Sequence, residues 1–391
     1  MNAGPTTPPT REERLARIAL SRLTEPGDPR MCVLVAQHGA VRVHDQLVGE
    51  RDMGGVLTDV AARLESMDPE RDLRTAERLG IRFVVPGDDE WPTQIDDLVS
   101  AEPVQERGGP PLGLWVKGPL RLDQLRESVA VVGSRSATSY GADVAAELGA
   151  GLARAEHPVV SGAAFGIDQA AHRGALAVDG PTVAVLACGV DRAYPAAHKS
   201  LLDHLAVVGA VVSELPPGCA PTRLRFLSRN RLIAGLTSAT IVVEAAVRSG
   251  ALNTANWATR LNRHLMGVPG PVTSAPSQGV HQLIRTGAAT LVTHAEEVLE
   301  VVGASGQHLL EVPRGADGPR DRLTQRQRQV LDAVPVERAA PATSIARTAG
   351  IGLLDVQSSL SRLRARGLVE PVGEGWRLAP DDLPGMPPAP S

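Results

Sequence analysis

The chain has 391 residues, more than one core usually holds, so two or three domains are expected, and 43% apolar residues suffice to pack each. A formal net charge of −4 excludes a globally basic nucleic-acid binder, so any grip on a phosphate backbone has to come from local patches. Cys32, Cys188 and Cys219 are far apart and show no C-x-x-C spacing, which suggests neither a disulfide framework nor a zinc site and suits a reducing, cytoplasmic compartment. The N-terminus has no apolar h-region and no run reaches the roughly 18 residues needed to span a bilayer, so no membrane partner is expected.

The first ten residues carry no pattern and read as disordered. From 11 to 66, apolar residues at helical spacing (Leu15, Ile18, Ala19, Leu23; then Val56, Val60, Leu64) are broken at Pro26-Gly27 and Gly54-Gly55, which predicts a small helical domain. A second domain is expected over 67–302. It opens with two short strand-like runs, IRFVVPG and LGLWVKG. Apolar β-branched runs then recur at VAVVG (129–133), HPVVSG (157–162), PTVAVLACG (181–189), GAVVSEL (209–215) and ATIVVEA (239–245), most of them separated by Ala/Leu-rich helical stretches. Continuous rather than alternating apolar strands indicate burial on both faces, hence a parallel sheet with helices on each side. HLMGVPG and ATLVT extend it. Residues 303–322 look like a linker. Residues 323–380 read as three short helices and a Gly-containing hairpin, the layout of a winged helix, and 381–391 as a disordered tail.

Ligands of parallel α/β sheets bind beyond the carboxyl ends of the strands. Those ends here are Gly133-Ser134-Arg135, Ser161-Gly162-Ala163, Cys188-Gly189-Val190-Asp191, Ser213-Glu214, and Glu244 followed by Arg248 to Thr254. Small and hydroxyl residues at such edges expose backbone N–H groups at helix N-termini, which hold phosphate without a metal. The first turn lacks G-x-G-x-x-G spacing. An arginine stands where a glycine would let the backbone approach a pyrophosphate, so NAD is not the expected ligand. Between the fourth and fifth runs, PTRLRFLSRNRLIAGL places Arg223, Arg225, Arg229 and Arg231 inside nine residues. On a helix Arg225 and Arg229 share one face, Phe226 and Ile233 another. The plain reading is a solvated helix face. The other is a polyphosphate that supplies the counter-charge four arginines need.

Catalytic signals are weaker. Asp168 and His172 stand four apart and could pair, a contact that more often ties a helix to its neighbour. Cys188 has no adjacent histidine base. Glu244 is the carboxylate a strand end would most plausibly aim into the crevice. No Walker A loop, Ser-His-Asp order or metal cluster is present, and no cofactor is expected.

Seven ordered stretches resemble the DNA-processing protein DprA (Smf) family: VVGSR (131–135), SGAAFGID with AAHRGAL (161–176), AVLACGVDRAYP (184–195), SELPPG (213–218), FLSRNRLIAGL (226–236), VVEAAVRSGALNTANWA (242–258) and VPGPV (268–272). The resemblance implies an α/β protein whose extended Rossmann-like parallel-sheet domain is flanked by an N-terminal helical domain like a sterile alpha motif and a C-terminal winged helix. It implies a non-enzymatic mediator that binds single-stranded DNA, protects incoming DNA and loads the recombinase RecA in natural transformation, acting as a homodimer. Matched position by position, Gly133, Ser134 and Arg135 fall on the family's phosphate contact, and Ser161 and Gly162 on its SG turn. Arg229, Asn230 and Arg231 fall on its RNR stretch, and Ser249, Gly250, Asn253 and Thr254 on its late edge. No residue is implied as catalytic. Where many members carry a basic residue, this chain has Phe165, which either stacks on a base or packs under its loop. The end of the third winged-helix helix, with Arg362, Arg364 and Arg366, suits DNA or a protein partner.

Two other classes compete. A nucleotide-processing enzyme like the cytokinin-activating phosphoribohydrolases would need a P-G-G-x-G-T-x-x-E turn, and VPGPV comes nearest without matching it. A winged-helix regulator sensing a nucleotide would need sequence-specific duplex binding.

Overall fold

The computed structural model describes residues 8–49, 64, 67–304, 307, 308 and 322–379. The described residues up to 308 form one compact unit and 322–379 a second. Val56, Val60, most of the 303–322 segment and the 381–391 tail lie outside the described residues.

The first unit begins with three helices, α1 (Arg11–Leu23), α2 (Pro29–His38) and α3 (Ala40–Gly49). Thr10 caps α1 by accepting the Glu13 N–H at 3.1 Å, with Glu12 and Glu13 in the first turn facing the positive end of the helix dipole. That helix ends at Leu23, ahead of the Pro26-Gly27 turn, and Asp28 caps α2 with Pro29 in its first turn. Leu20, Leu23, Met31, Val35, Ala40 and Val43 close a small core together with Leu64. The helices do not stand apart from the rest of the unit. Ile18 is buried in a cluster with Phe83 and Trp115, and Arg22 binds the Asp72 carboxylate and the Pro217 carbonyl.

Next come α4 (Pro69–Arg78), β1 (Ile81–Val84), β2 (Leu114–Lys117) and then the alternating core: β3 (Val129–Val132), α5 (Ser139–Arg154), β4 (Val159–Ser161), α6 (Ile167–Leu176), β5 (Thr182–Val185), α7 (Lys199–Val208), β6 (Ala210–Ser213), α8 (Arg223–Leu236), β7 (Ala239–Val242), α9 (Ala251–Arg260), β8 (His264–Gly267), α10 (Gln278–Arg285), β9 (Thr290–Leu291) and α11 (Ala295–Val302). One sheet takes them in the order β1-β2-β6-β5-β4-β3-β7-β8-β9. From β6 to β9 the pairing is parallel, as the continuous apolar runs predict; β1 and β2 join antiparallel at one edge, so the two early runs lengthen the same sheet. The chain steps outward from β3 to β6 and returns to β7 on the other side of β3. The topological switch point therefore lies between β3 and β7, where such sheets open a crevice.

One face of the sheet packs α8 and α9 (Leu232, Ile233, Leu236, Trp257), the other α5, α6 and α11 (Leu148, Leu152, Ala171, Val298). Helices α5 and α6 touch backbone to backbone. A side-chain carbon at Gly149 would collide with the Ala171 carbonyl, and one at Gly174 with that of Ala146. Only hydrogen fits there.

The second unit contains α12 (Gln325–Asp332), α13 (Ala342–Ala349), α14 (Leu353–Ala365) and an antiparallel hairpin of β10 (Val369–Val372) and β11 (Gly375–Leu378). Thr324 and Gln327 form a reciprocal capping box at its start, and Val330, Ile345, Val356, Leu360 and Leu363 fill its core.

Candidate nucleic-acid interface

At the end of β3 the chain turns sharply. The Ser134 N–H reaches the Glu244 carbonyl at 2.7 Å, the Ser134 carbonyl accepts from Ile167 N–H at 3.2 Å, and Ser136 N–H donates to Ser134 Oγ at 3.1 Å. These bonds fasten Gly133 and Ser134 to both neighbouring strand ends and leave the Arg135 side chain exposed. Its guanidinium carbon lies 4.7 Å from the centroid of the Phe226 ring, within cation–π range. Tyr194, from the loop after β5, meets the same ring at 5.5 Å. Phe165, from the loop after β4, is 46% exposed and rests on His198 edge to face at 4.5 Å. It does not pack under its loop. That support is fixed in turn, because His198 Nδ1 is 2.9 Å from the Ala163 carbonyl oxygen.

The RNR stretch divides. Arg231 is fully buried and paired with Glu214 through both guanidinium ends, at 2.8 Å each, so it is not placed to meet a ligand. Arg229 is buried beneath the SG turn, donates to the Val185 carbonyl at 2.7 Å, and is held to about 10 by burial, with Asp168 opposing that shift and Arg135 adding to it. A methyl group at Gly162 would collide with its guanidinium. Arg225 pairs with Glu25, in the turn between α1 and α2, at 2.7 and 2.8 Å. The counter-charges that the arginine run calls for are therefore supplied largely from within the fold. Only Arg223, one turn before Phe226, is exposed with no partner among the described residues.

The SG turn also departs from the expected phosphate cradle. Ser161 is buried and spends its hydroxyl on the Val131 carbonyl at 2.6 Å, and the Gly162 and Ala164 N–H groups both donate to Asp168, at 3.1 and 3.3 Å. Ser161 and Gly162 thus shape the loop from inside and offer no free donor. Asn230 reaches across to the late edge, its amide 3.3 Å from the Gly250 carbonyl and from Asn253 Oδ1. Ser249 Oγ accepts from Ala251 N–H at 3.3 Å, and Thr254 is buried. Of the residues proposed from sequence, the fold gathers Gly133, Ser134, Arg135 and Phe165 in one group with Arg229 below it. Asn230, Ser249, Gly250 and Asn253 form a second group around the end of β7. Arg231 and Thr254 are withdrawn into the core.

The catalytic candidates are occupied. Glu244 accepts from Thr138 N–H at 2.9 Å and Thr138 Oγ1 at 2.5 Å, fixing the entry to α5. His172 is paired with the Thr182 hydroxyl at 2.7 Å and not with Asp168; burial, with help from His198 and Arg229, pushes it down to about 3. Burial lifts the Cys188 thiol to about 11, the opposite of an activated nucleophile. Among the described residues no group of three or more His, Cys, Asp or Glu could hold a metal, and no helix is long and apolar enough to cross a membrane.

Phe226 and Tyr194 escaped the sequence reading, which placed Phe226 on one helix face with Ile233 and gave it no part in the site. Scarcity was the available signal: of the three Phe and two Tyr in the chain, Phe165, Phe226, Tyr194 and Tyr140 all stand at the C-terminal edge of one sheet.

Comparison with known proteins agrees with this architecture. The chain is 44% identical over 363 residues to a DNA processing protein DprA of Mycobacterium tuberculosis, covering 92% of each, and 40% identical over 213 residues to that of Streptococcus pneumoniae, covering 54% of this chain and 71% of that one. The X-ray structure of the S. pneumoniae protein superposes with a TM-score of 0.60 at 32% identity, over 75% of this chain and 98% of that chain. The family model for DNA recombination-mediator protein A matches residues 82–303, from β1 to the end of α11, and the chain belongs to that family.

Proposed function

We propose that this chain binds single-stranded DNA along the C-terminal edge of its sheet and acts as a mediator without catalytic chemistry of its own. The observation that carries the proposal is the exposed Arg135 guanidinium on the face of Phe226, beside the exposed ring of Phe165. A cation for the backbone next to rings for the bases is the pairing that sequence-tolerant single-strand binding requires. Arg223 adds a second free cation to the same edge, while Gly133, Ser134 and the Asn230–Asn253 group set the positions of the loops around it. Arg229 supports from below.

Membership in a recombination-mediator family supports a recombinase, RecA, as the protein to which the DNA is handed, and a homodimer as the working form. The second unit, with its three helices and hairpin, is read as a winged helix. Its exposed Arg362 and Arg364 suit a duplex or strand contact. The phosphoribohydrolase-like alternative gains no support, because Glu244 is committed to Thr138.

The test is titration of a labelled poly-dT oligonucleotide against wild type and Arg135→Ala at low and moderate salt. Tight, salt-sensitive binding is expected, weakened markedly in the variant, with a log–log salt slope shallower by about 0.7, the share of one single-strand phosphate contact. Absence of wild-type binding under both conditions would overturn the reading. RecA loading is checked separately by RecA-dependent strand exchange on single strands coated with single-strand-binding protein.

A further inference from the structure

The loops after β3, β4 and β5 each carry an exposed side chain able to stack, among them Arg135, Phe165 and Tyr194. The third has so far been only a neighbour of Phe226. We infer that Tyr194 is itself a base-stacking residue, which receives an unstacked base of single-stranded DNA on its outward face and extends the track over the loop after β5. This rests on the single-strand reading above and deepens it.

The geometry around Phe226 decides which ring is open. Arg135 lies 4.7 Å from its centroid, Arg229 5.8 Å and Tyr194 5.5 Å with the planes 52° apart. A base inserted between two rings needs about 3.4 Å on each side. The Phe226–Tyr194 gap admits none, so a base can meet this pair only on Tyr194. That ring is 44% exposed, and its hydroxyl takes no hydrogen bond among the described residues. Phe226 is then the wall against which Tyr194 is braced. Braced aromatics lose little freedom when a base lands on them.

Spacing adds selectivity. Neighbouring strands of a sheet lie about 4.8 Å apart, so side chains delivered by successive strand ends are set wider than the roughly 3.4 Å repeat of stacked bases. Bases that each engage one group along this edge have to part from one another. A duplex resists that parting and a single strand does not.

The test compares wild type, Tyr194→Ala and Tyr194→Trp on oligo-dT and on an abasic oligonucleotide of equal length, which keeps the phosphates and removes the bases. Tyr194→Ala is expected to weaken oligo-dT binding about 5- to 150-fold, the span of one lost base–aromatic stack, and to leave the abasic strand bound as by wild type. Tyr194→Trp is expected to keep oligo-dT affinity and to add fluorescence that oligo-dT quenches and the abasic strand does not. Equal weakening on both strands would mean that Tyr194 acts through loop structure, and unchanged oligo-dT binding would mean that no base reaches it; either overturns the inference alone. Failure of wild type to bind oligo-dT would overturn the single-strand reading and this inference together.

Discussion

Replacing Arg231 by methionine separates what the RNR stretch does for the fold from what it does for a ligand. The substitution keeps the volume of the side-chain stem and removes the charge. Glu214 is then left buried, having lost both of its 2.8 Å charge-assisted bonds. Breaking one side of a buried pair costs about 3–5 kcal/mol, because the remaining charge is uncompensated. With a urea slope of about 3 kcal/mol/M, the midpoint should fall by about 1–1.7 M. Tryptophan fluorescence reports it, since Trp91, Trp115 and Trp257 are all buried in the first unit. The double variant Arg231→Met, Glu214→Leu should recover most of the loss. Below the transition, oligo-dT affinity should stay within about twofold of wild type. A variant as stable as wild type that had lost DNA binding would refute the reasoning and return Arg231 to the ligand surface.

Glu244→Gln should lower stability by about 1–2 kcal/mol, through weaker bonds to Thr138, with no nucleotide hydrolysis by either protein when nucleoside monophosphates are assayed by chromatography. His172 is neutral in the fold, down to about 3, but protonates near 6.5 in the unfolded chain, so between those values the unfolded state binds more protons and stability rises with pH. Acidification from pH 6.5 to 5 should cost wild type about 1.5–2 kcal/mol through this residue, and urea midpoints of His172→Gln should show a correspondingly flatter dependence. Gly174→Ala should destabilise by about 1–3 kcal/mol by forcing α6 away from α5, seen as a lower thermal midpoint.

The strands were legible because burial on both faces leaves an unbroken apolar run: β3, β5, β6 and β7 fall inside the predicted stretches with every residue buried. The strand-end turns followed from them. What could not be read was pairing at a distance. Four arginines in nine residues look like an anion site as long as Glu25, Glu214 and the Val185 carbonyl are unseen, and these come from the turn between α1 and α2 and from two other strand ends. Asp168 and His172 stand at the helical spacing of a pair, yet each finds a stronger partner off its own helix, in the Gly162 N–H and the Thr182 hydroxyl. The exposure of Phe165, likewise, depends on its packing against His198 and is not visible in the sequence.

The contact of α5 with α6 through Gly149 and Gly174 has a consequence for affinity. Each helix grows directly out of one of the two loops that present Arg135 and Phe165, and the helices are locked at a separation that no side chain cushions. The backbones that carry the Arg135 loop and the Phe165 loop are thereby held at a fixed separation, and Phe226 and His198 then position the two side chains. On the single-strand reading proposed above, loops fastened in this way lose little ordering entropy on binding. On the same reading the small residues of that seam are expected to act as remote determinants of DNA affinity: a single methyl group added there should shift the Arg135 and Phe165 loops relative to each other without touching either.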